Sequence, residues 1–291
     1  MPLTFEPIRV HQQEAYAEVL ARSPQLPSDY SFINLWAWAD EYGLMWAWEN
    51  GLVWIQQTFP EPVYWAPVGD WYGVGWPEMF SVHFSGGAVF TRVPEKLAEL
   101  WKERAGRIGS EPLRGHWDYL YAGSDLITLK GNRYHKKKNL LKQFQTGYPY
   151  RYAPLGPDMT EKALALQTDW CTWRDCEASD MLSAENRVIE KVLKNWSRLK
   201  GITGGALLVD DAIVAYTVAE MLGHDTLVIH FEKGNPDFKG VYQAINQMFL
   251  EHFGKPDIWI NREQDLDDEG LRKAKLSYHP VDFLRKFRCV V

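Results

Sequence analysis

Thr226-Leu-Val-Ile-His-Phe-Glu-Lys-Gly-Asn-Pro-Asp-Phe-Lys-Gly-Val-Tyr-Gln-Ala-Ile-Asn246, followed by Ile258-Trp-Ile-Asn-Arg-Glu-Gln-Asp265, is the stretch that decides the fold. β-Branched and aromatic residues make Thr226 to Phe231 a short apolar strand. Gly234-Asn-Pro is turn chemistry. Val241, Ala244, Ile245, Met248, Phe249 and Phe253 then recur at helical spacing, and Ile258-Trp-Ile is a second strand. The order is strand, turn, helix, strand, with polar side chains gathered where each strand ends. Gly240 stands at the helix start and is open to two readings. Free backbone N–H groups there can hold a phosphate or carboxylate. Equally, the loop needs a glycine for its backbone angles.

Working outward, the chain repeats itself. Leu3-Thr-Phe-Glu-Pro-Ile reads as a strand before a helix from about His11 to Arg22, and Tyr150-Arg-Tyr-Ala-Pro-Leu as a strand before a helix from about Met159 to Trp173. A hairpin follows in each half: Leu44 to Gln57 around Asn50-Gly51, and Gly205 to Glu220 around Asp210-Asp211. A further strand and a helix close each copy, Val63 to Val68 with Pro94 to Lys102, and Thr226 to Phe231 with Lys239 to Phe253. A period near half the chain fits two copies of one α+β domain. The expected limits are 1–130, a basic linking helix over 131–149, and 150–291.

The composition is that of a globular protein: 291 residues, 46% hydrophobic, 24% charged, net charge −6. That charge argues against general nucleic-acid coating but leaves room for a local basic site. With 14 Trp and 14 Tyr, some rings are expected in the core and others along a groove. Cys171, Cys176 and Cys289 form no CxxC pair and suggest no disulfide framework, so a reducing cytoplasm is the expected compartment. No basic-then-apolar leader opens the sequence and no run approaches ~20 apolar residues. No metal is expected. P-loop, GxGxxG, HExxH and GxSxG motifs are absent, and Gly201-Ile-Thr-Gly-Gly precedes a strand instead of a helix.

Between Leu126 and Pro157 there is no acidic residue, while Lys130, Arg133, Lys136, Lys137, Lys138, Lys142 and Arg151 are basic. Tyr134 to Phe144 reads as an amphipathic helix with Leu140, Leu141 and Phe144 on its apolar side. It is either a solvated linker or a basic wall facing an anionic ligand in a cleft between the domains. A third use, contact with an anionic membrane surface, requires those three apolar residues to be exposed.

Polar residues are dense from Ile258 to Pro280. Asn261, Arg262, Glu263 and Asp265 end a strand; Asp267, Asp268 and Glu269 open a short helix where acids suit the dipole; Arg272, Lys273 and Lys275 follow. The chain ends in a basic run with Arg285, Lys286 and Arg288. Glu220, His230 and Glu232 lie near strand ends; Glu232 or His230 suits a general base, and His230 equally a satisfied buried histidine. His135, among lysines, reads as a surface residue.

Ser28-Asp-Tyr-Ser-Phe-Ile-Asn-Leu-Trp-Ala-Trp, Tyr134-His-Lys-Lys-Lys-Asn-Leu-Leu-Lys-Gln-Phe and Ile260-Asn-Arg-Glu-Gln-Asp to Pro280 together resemble the bacterial proteins grouped with the C-terminal domain of phosphatidylglycerol lysyltransferases. The resemblance runs from about Ser28 to Arg288. It implies two tandem GNAT-like domains, each a mixed, mostly antiparallel sheet flanked by helices, the first a degenerate copy. It further implies acyl- or aminoacyl transfer from acyl-CoA or aminoacyl-tRNA to an amine or hydroxyl acceptor in the cleft between the domains. The CoA-binding loop of GNAT enzymes corresponds to Gly234 through Tyr242, and Lys239-Gly240-Val241 with Tyr242 matches part of its Arg/Gln-x-x-Gly-x-Gly/Ala pattern. Glu232 or Glu263 is the expected proton acceptor, Asn261 and Arg262 are binding groups, and Lys273, Lys275 and the run Lys136, Lys137, Lys138 grip the anion. The alternative is a non-catalytic binding protein for a nucleotide, a tRNA end or a lipid headgroup.

Overall fold

The computed structural model describes residues 3–106 and 108–291. In chain order the first elements are β1 (Glu6–Pro7), α1 (Gln13–Leu20), α2 (Phe32–Tyr42), β2 (Met45–Glu49), β3 (Leu52–Gln57), β4 (Val63–Val68), α3 (Trp76–His83), β5 (Val89–Pro94), α4 (Glu95–Ala105) and β6 (Gly109–Pro112). There follow β7 (Asp118–Ala122), α5 (Gly123–Thr128), α6 (His135–Gly147), β8 (Tyr150–Pro154), α7 (Thr160–Arg174), α8 (Asp180–Lys194), β9 (Ile202–Val209), β10 (Ala212–Leu222) and β11 (Thr226–Gly234). The last are α9 (Val241–Phe253), β12 (Trp259–Asn261), α10 (Glu269–Leu276), β13 (Asp282–Leu284) and β14 (Lys286–Val290).

The fold is α+β with two seven-stranded sheets, ordered β1-β2-β3-β4-β5-β14-β6 and β13-β7-β12-β11-β10-β9-β8. Each is mostly antiparallel, and each holds a parallel pair at the equivalent place, β4 with β5 and β11 with β12. The repeat read in the sequence is thus real, and so are its turns. Asn50 and Gly51 adopt φ of 53° and 75°, and Asp210 and Asp211 adopt 49° and 62°, as a two-residue hairpin turn of the mirror-image type requires.

Two compact units result, and their limits differ from the expected ones. The first comprises the chain up to Tyr119 with Glu263–Lys273 and Phe283–Val291; the second comprises Leu120–Arg262 with Ala274–Asp282. The cause is strand pairing. β14, from the end of the chain, lies between β5 and β6, while β7, from the middle, pairs antiparallel with β12. An open strand edge takes whichever segment satisfies its backbone N–H and C=O groups, and local periodicity does not say which.

In the first unit the tryptophans make the core. Trp54, Trp76 and Trp101 are fully buried, and Phe90 and Trp76 lie 5.1 and 5.3 Å from the Trp101 ring. Helix α2, not foreseen from periodicity, is capped by the Ser31 hydroxyl, which accepts from the Asn34 N–H, and closes on Gly43 at φ 58°.

In the second unit Phe144 of α6 and Val241, Ala244, Ile245 and Met248 of α9 pack with Leu207, Val209 and Ala215 of the sheet. Helix α6 is therefore part of a core and not a separate linker. Phe144 is fully buried and Leu140 and Leu141 are half-buried, which removes the apolar face that membrane contact needs. No helix among the described residues is long and apolar enough to cross a membrane.

The cysteine reading is corrected. Cys171 and Cys176 form a disulfide: α7 ends at Arg174, Asp175 turns the chain at φ 50°, and the two Cα atoms come to 5.0 Å. The cysteine content therefore no longer argues for a reducing compartment.

Candidate functional site

Strand β11 pairs with β12 only over Thr226–Val228, so its far half runs on beyond the end of β12 at Asn261. Side chains from β11, α9 and the residue after β12 meet where the two strands part. Glu232 accepts from Arg262 Nη2 at 3.0 Å on one carboxylate oxygen and from Asn246 Nδ2 at 2.9 Å on the other. The three are held tightly: Asn246 is 1% exposed, and the Glu232 and Arg262 side chains 10% and 15%. A carboxylate only accepts, so Asn246 must turn its amide NH₂ toward Glu232. That leaves Asn246 Oδ1 buried with no hydrogen bond to a described residue, and Arg262 Nη1 is in the same state. An unfilled acceptor and an unfilled donor beside a carboxylate cost free energy in a finished core, about 1–3 kcal/mol each.

The chain after α10 supplies the floor. The Arg262 guanidinium carbon lies 4.8 Å from the centre of the Tyr278 ring, and Lys137 Nζ, from the first turn of α6, lies 4.0 Å from that same centre. Burial pushes the Tyr278 hydroxyl up to about 12. Lys137 Nζ also donates to Ser277 Oγ at 2.6 Å. Burial, and then the neighbouring Arg262 charge, lower its pKa to about 8. Lys275 is buried, its ammonium donating to the Arg262 carbonyl at 2.6 Å. Glu232 is thus paired with Arg262, while Lys275 bonds the Arg262 carbonyl and Lys137 shares the Tyr278 ring with the Arg262 guanidinium.

The expected site residues divide. Glu232, Arg262, Lys137 and Lys275 come together; Asn261 is buried on β12, one residue before Arg262. Lys136 and Lys138 are exposed on α6. Glu263 does not join Glu232: it belongs to the first unit, where its carboxylate accepts from Asn34 Nδ2 at 2.8 Å. Lys273 is an exposed surface residue, 3.7 Å from Glu269 one helical turn away. Asn246 escaped the sequence reading, although an amide on the apolar stripe of α9 was a visible signal.

The glycine at the start of α9 resolves toward the plain reading. Gly240 has φ 85°, and a Cβ there would stand 2.0 Å from the Leu140 carbonyl oxygen of α6. The Lys239 N–H donates to the Tyr148 hydroxyl at 3.0 Å and the Val241 N–H to the Phe238 carbonyl at 3.0 Å. The Tyr242 hydroxyl donates to the Gly234 carbonyl and accepts from Trp170 Nε1, each at 3.0 Å. These groups are committed within the protein, and α6 fills the space beside the glycine. The N–H groups of Lys239 and Val241 are therefore not open to a phosphate.

His230 is the satisfied histidine: its Nε2 lies 3.0 Å from a Glu220 carboxylate oxygen, both residues buried. Among the described residues no group of three or more His, Cys, Asp or Glu is placed to hold a metal ion.

The first unit has a matching arginine. Arg92 follows Thr91, the last residue paired in parallel with β4, just as Arg262 follows Asn261, the last paired with β11. Arg92 pairs with Asp29, and its guanidinium carbon lies 4.3 Å from the centre of the Trp65 ring. Lys286 bonds both Asp29 and Asp118, and Ser28 N and Oγ donate to Asp118 at 2.7 and 2.9 Å. Burial acts to raise the Asp29 pKa, but Lys286 and Arg92 outweigh it and hold the carboxyl well below its usual range. Lys286, read as part of the terminal basic run, is completely buried.

Comparison with known proteins agrees with this architecture. A conserved protein of unknown function from Bacteroides thetaiotaomicron is 30% identical, with a TM-score of 0.90 over 99% of each chain. The structure of L-PGS from Bacillus licheniformis shares the fold at 11% identity and a TM-score of 0.65, over 98% of this chain and 92% of that one. An uncharacterised protein of Mycoplasmoides gallisepticum is 24% identical over 174 residues, 58% of this chain and 54% of that protein, so the match spans about half the length of that relative. Residues 20–290 match the family described as phosphatidylglycerol lysyltransferase, C-terminal, and the chain belongs to that family.

Proposed function

We propose that the second unit transfers an aminoacyl group from the ester of an aminoacyl-tRNA to a hydroxyl or amine acceptor. The observation that carries this reading is the unfilled pair beside Glu232, Asn246 Oδ1 and Arg262 Nη1. An α-aminoacyl group offers an ammonium to the Asn246 oxygen and the Glu232 carboxylate, and a carbonyl oxygen to the Arg262 donor. A simple acyl group offers only the second. Arg262 would then face the oxygen on which negative charge develops during attack, where a fixed donor contributes most. The closed loop at Gly240 speaks against CoA as the donor. The exposed Lys136 and Lys138 suit the phosphates of a tRNA end. The family's name supplies phosphatidylglycerol as the first acceptor to try.

The test incubates the purified chain with tRNA charged with radiolabelled amino acids and with vesicles containing phosphatidylglycerol, with acetyl-CoA in parallel. Label moving from tRNA into an alkali-labile product supports aminoacyl transfer. Transfer from acetyl-CoA alone would refute it, and tight binding of charged tRNA without any transfer would favour the non-catalytic reading.

A further inference from the structure

Resting on the transfer reading above, we infer that Lys137 is the proton carrier of the reaction, held in place by Ser277 and Tyr278. Glu232, the natural first choice, is poorly suited. Both of its oxygens are engaged by cation and amide donors, Arg262 at 3.0 Å and Asn246 at 2.9 Å, so it orients those two groups. Lys137 is differently placed. Among the described residues its ammonium has no carboxylate partner; its contacts are the Ser277 hydroxyl at 2.6 Å and the face of Tyr278 at 4.0 Å. The charged groups facing it are cationic or engaged. Arg262, beyond the β12 end, rests on the same Tyr278 ring; Lys275 of α10 bonds the Arg262 carbonyl; Lys136 and Lys138 flank it on α6; and Glu232 of β11 is neutralised by Arg262. A half-buried amine with cations around it and no anion gives up its proton readily, which the lowered pKa of about 8 reflects.

The step balances without a further reactant. The neutral Lys137 amine takes the proton from the acceptor hydroxyl or neutral amine as the acceptor oxygen or nitrogen bonds to the ester carbonyl carbon. The bond from that carbon to the ribose oxygen then breaks, and the Lys137 ammonium gives the proton to the departing ribose oxygen. Lys137 ends as it began.

Two measurements test this. Competitive acetylation of the intact protein across pH, read by peptide mass spectrometry, should show Lys137 becoming reactive with a midpoint near pH 8. A midpoint for Lys137 at the ordinary lysine value of 10.5 would overturn the proposal. In the transfer assay, kcat/KM of the wild type should rise through the same pH. Lys137→Arg, which keeps the charge but not the titration, should lose the rise and about 100-fold in kcat with little change in KM. Ser277→Ala should keep a pH-dependent rate but move its midpoint. An unchanged pH profile in Lys137→Arg, with transfer intact, removes Lys137 and leaves the aminoacyl-transfer reading standing. A wild type that transfers nothing while Lys137 still labels early removes the transfer reading and this role with it.

Discussion

Each unit puts an arginine just past its parallel strand pair, and the two arginines have met different fates. Around Arg92 the charges cancel: Asp29 and Asp118 stand against Arg92 and Lys286, all nearly or fully buried. Around Arg262 a buried donor and a buried acceptor have no hydrogen bond to a described residue. The first arrangement is what a stable interior needs, because a buried charge without a partner is expensive. The second leaves polar valences without a partner among the described residues. In the first copy Lys286, delivered by β14, supplies the second cation from within the chain.

The contrast is sharpest under matched substitutions. Lys286→Met strands two buried carboxylates and should cost about 3–5 kcal/mol in denaturant unfolding. Lys137→Met should leave stability unchanged or slightly raised while suppressing transfer, because a half-buried cation without an acid is removed. If both variants lose stability equally, the two regions are alike and the distinction between them falls.

Arg262→Lys removes the flat fork that reaches Glu232 and the ligand together, and should lower kcat/KM by about 10²–10³. Arg92→Lys should act on stability and leave kcat/KM unchanged.

Gly240→Ala tests the loop. A Cβ 2.0 Å from the Leu140 carbonyl, at φ 85°, should destabilise the protein by at least about 1–2 kcal/mol. It should leave the affinity for charged tRNA intact in the folded fraction. Selective loss of anion binding at unchanged stability would return the loop to the list of phosphate sites.

The smallest effect is a pH slope in the first unit. Burial, with Arg92 next, lowers the His116 pKa from 6.5 to about 3. Its folded pKa lies below its unfolded one, so its contribution to stability is present above pH 6.5 and is lost as the pH falls toward 3. His116→Gln should reduce the acid-side slope of the unfolding free energy by about 1.4 kcal/mol per pH unit within that window. An unaltered slope would show that His116 is protonated in the folded protein.

Much of this was legible in the sequence, for local reasons. The hairpin turns announced themselves at Asn50-Gly51 and Asp210-Asp211, and α9 by its apolar stripe. Glu232 and Arg262 meet because they lie toward the ends of neighbouring strands. What failed was non-local. Nothing in the spacing says that β14 pairs with β5 or β7 with β12, so the compact units take other limits than those read from the sequence, and Glu263, the alternative proton acceptor to Glu232, falls in the other unit. The strand exchange also buried Lys286, which composition alone puts on the surface. The Cys171–Cys176 bond depends on a single turn at Asp175, and a spacing of five residues carries no signature of it. Asn246 could have been found, since a polar residue on a core-facing helix stripe asks for a partner.

The central claim is that the cluster around Glu232, Asn246 and Arg262 reads an α-aminoacyl group. The most direct test is equilibrium binding of three forms of one tRNA: deacylated, aminoacylated, and N-acetyl-aminoacylated. The aminoacylated form should bind about tenfold more tightly than the deacylated one, worth about 1.4 kcal/mol. N-acetylation should abolish that gain, and Asn246→Leu should abolish it as well. Equal affinity for all three forms would contradict the claim, leaving the cluster without the amino group it is built to hold.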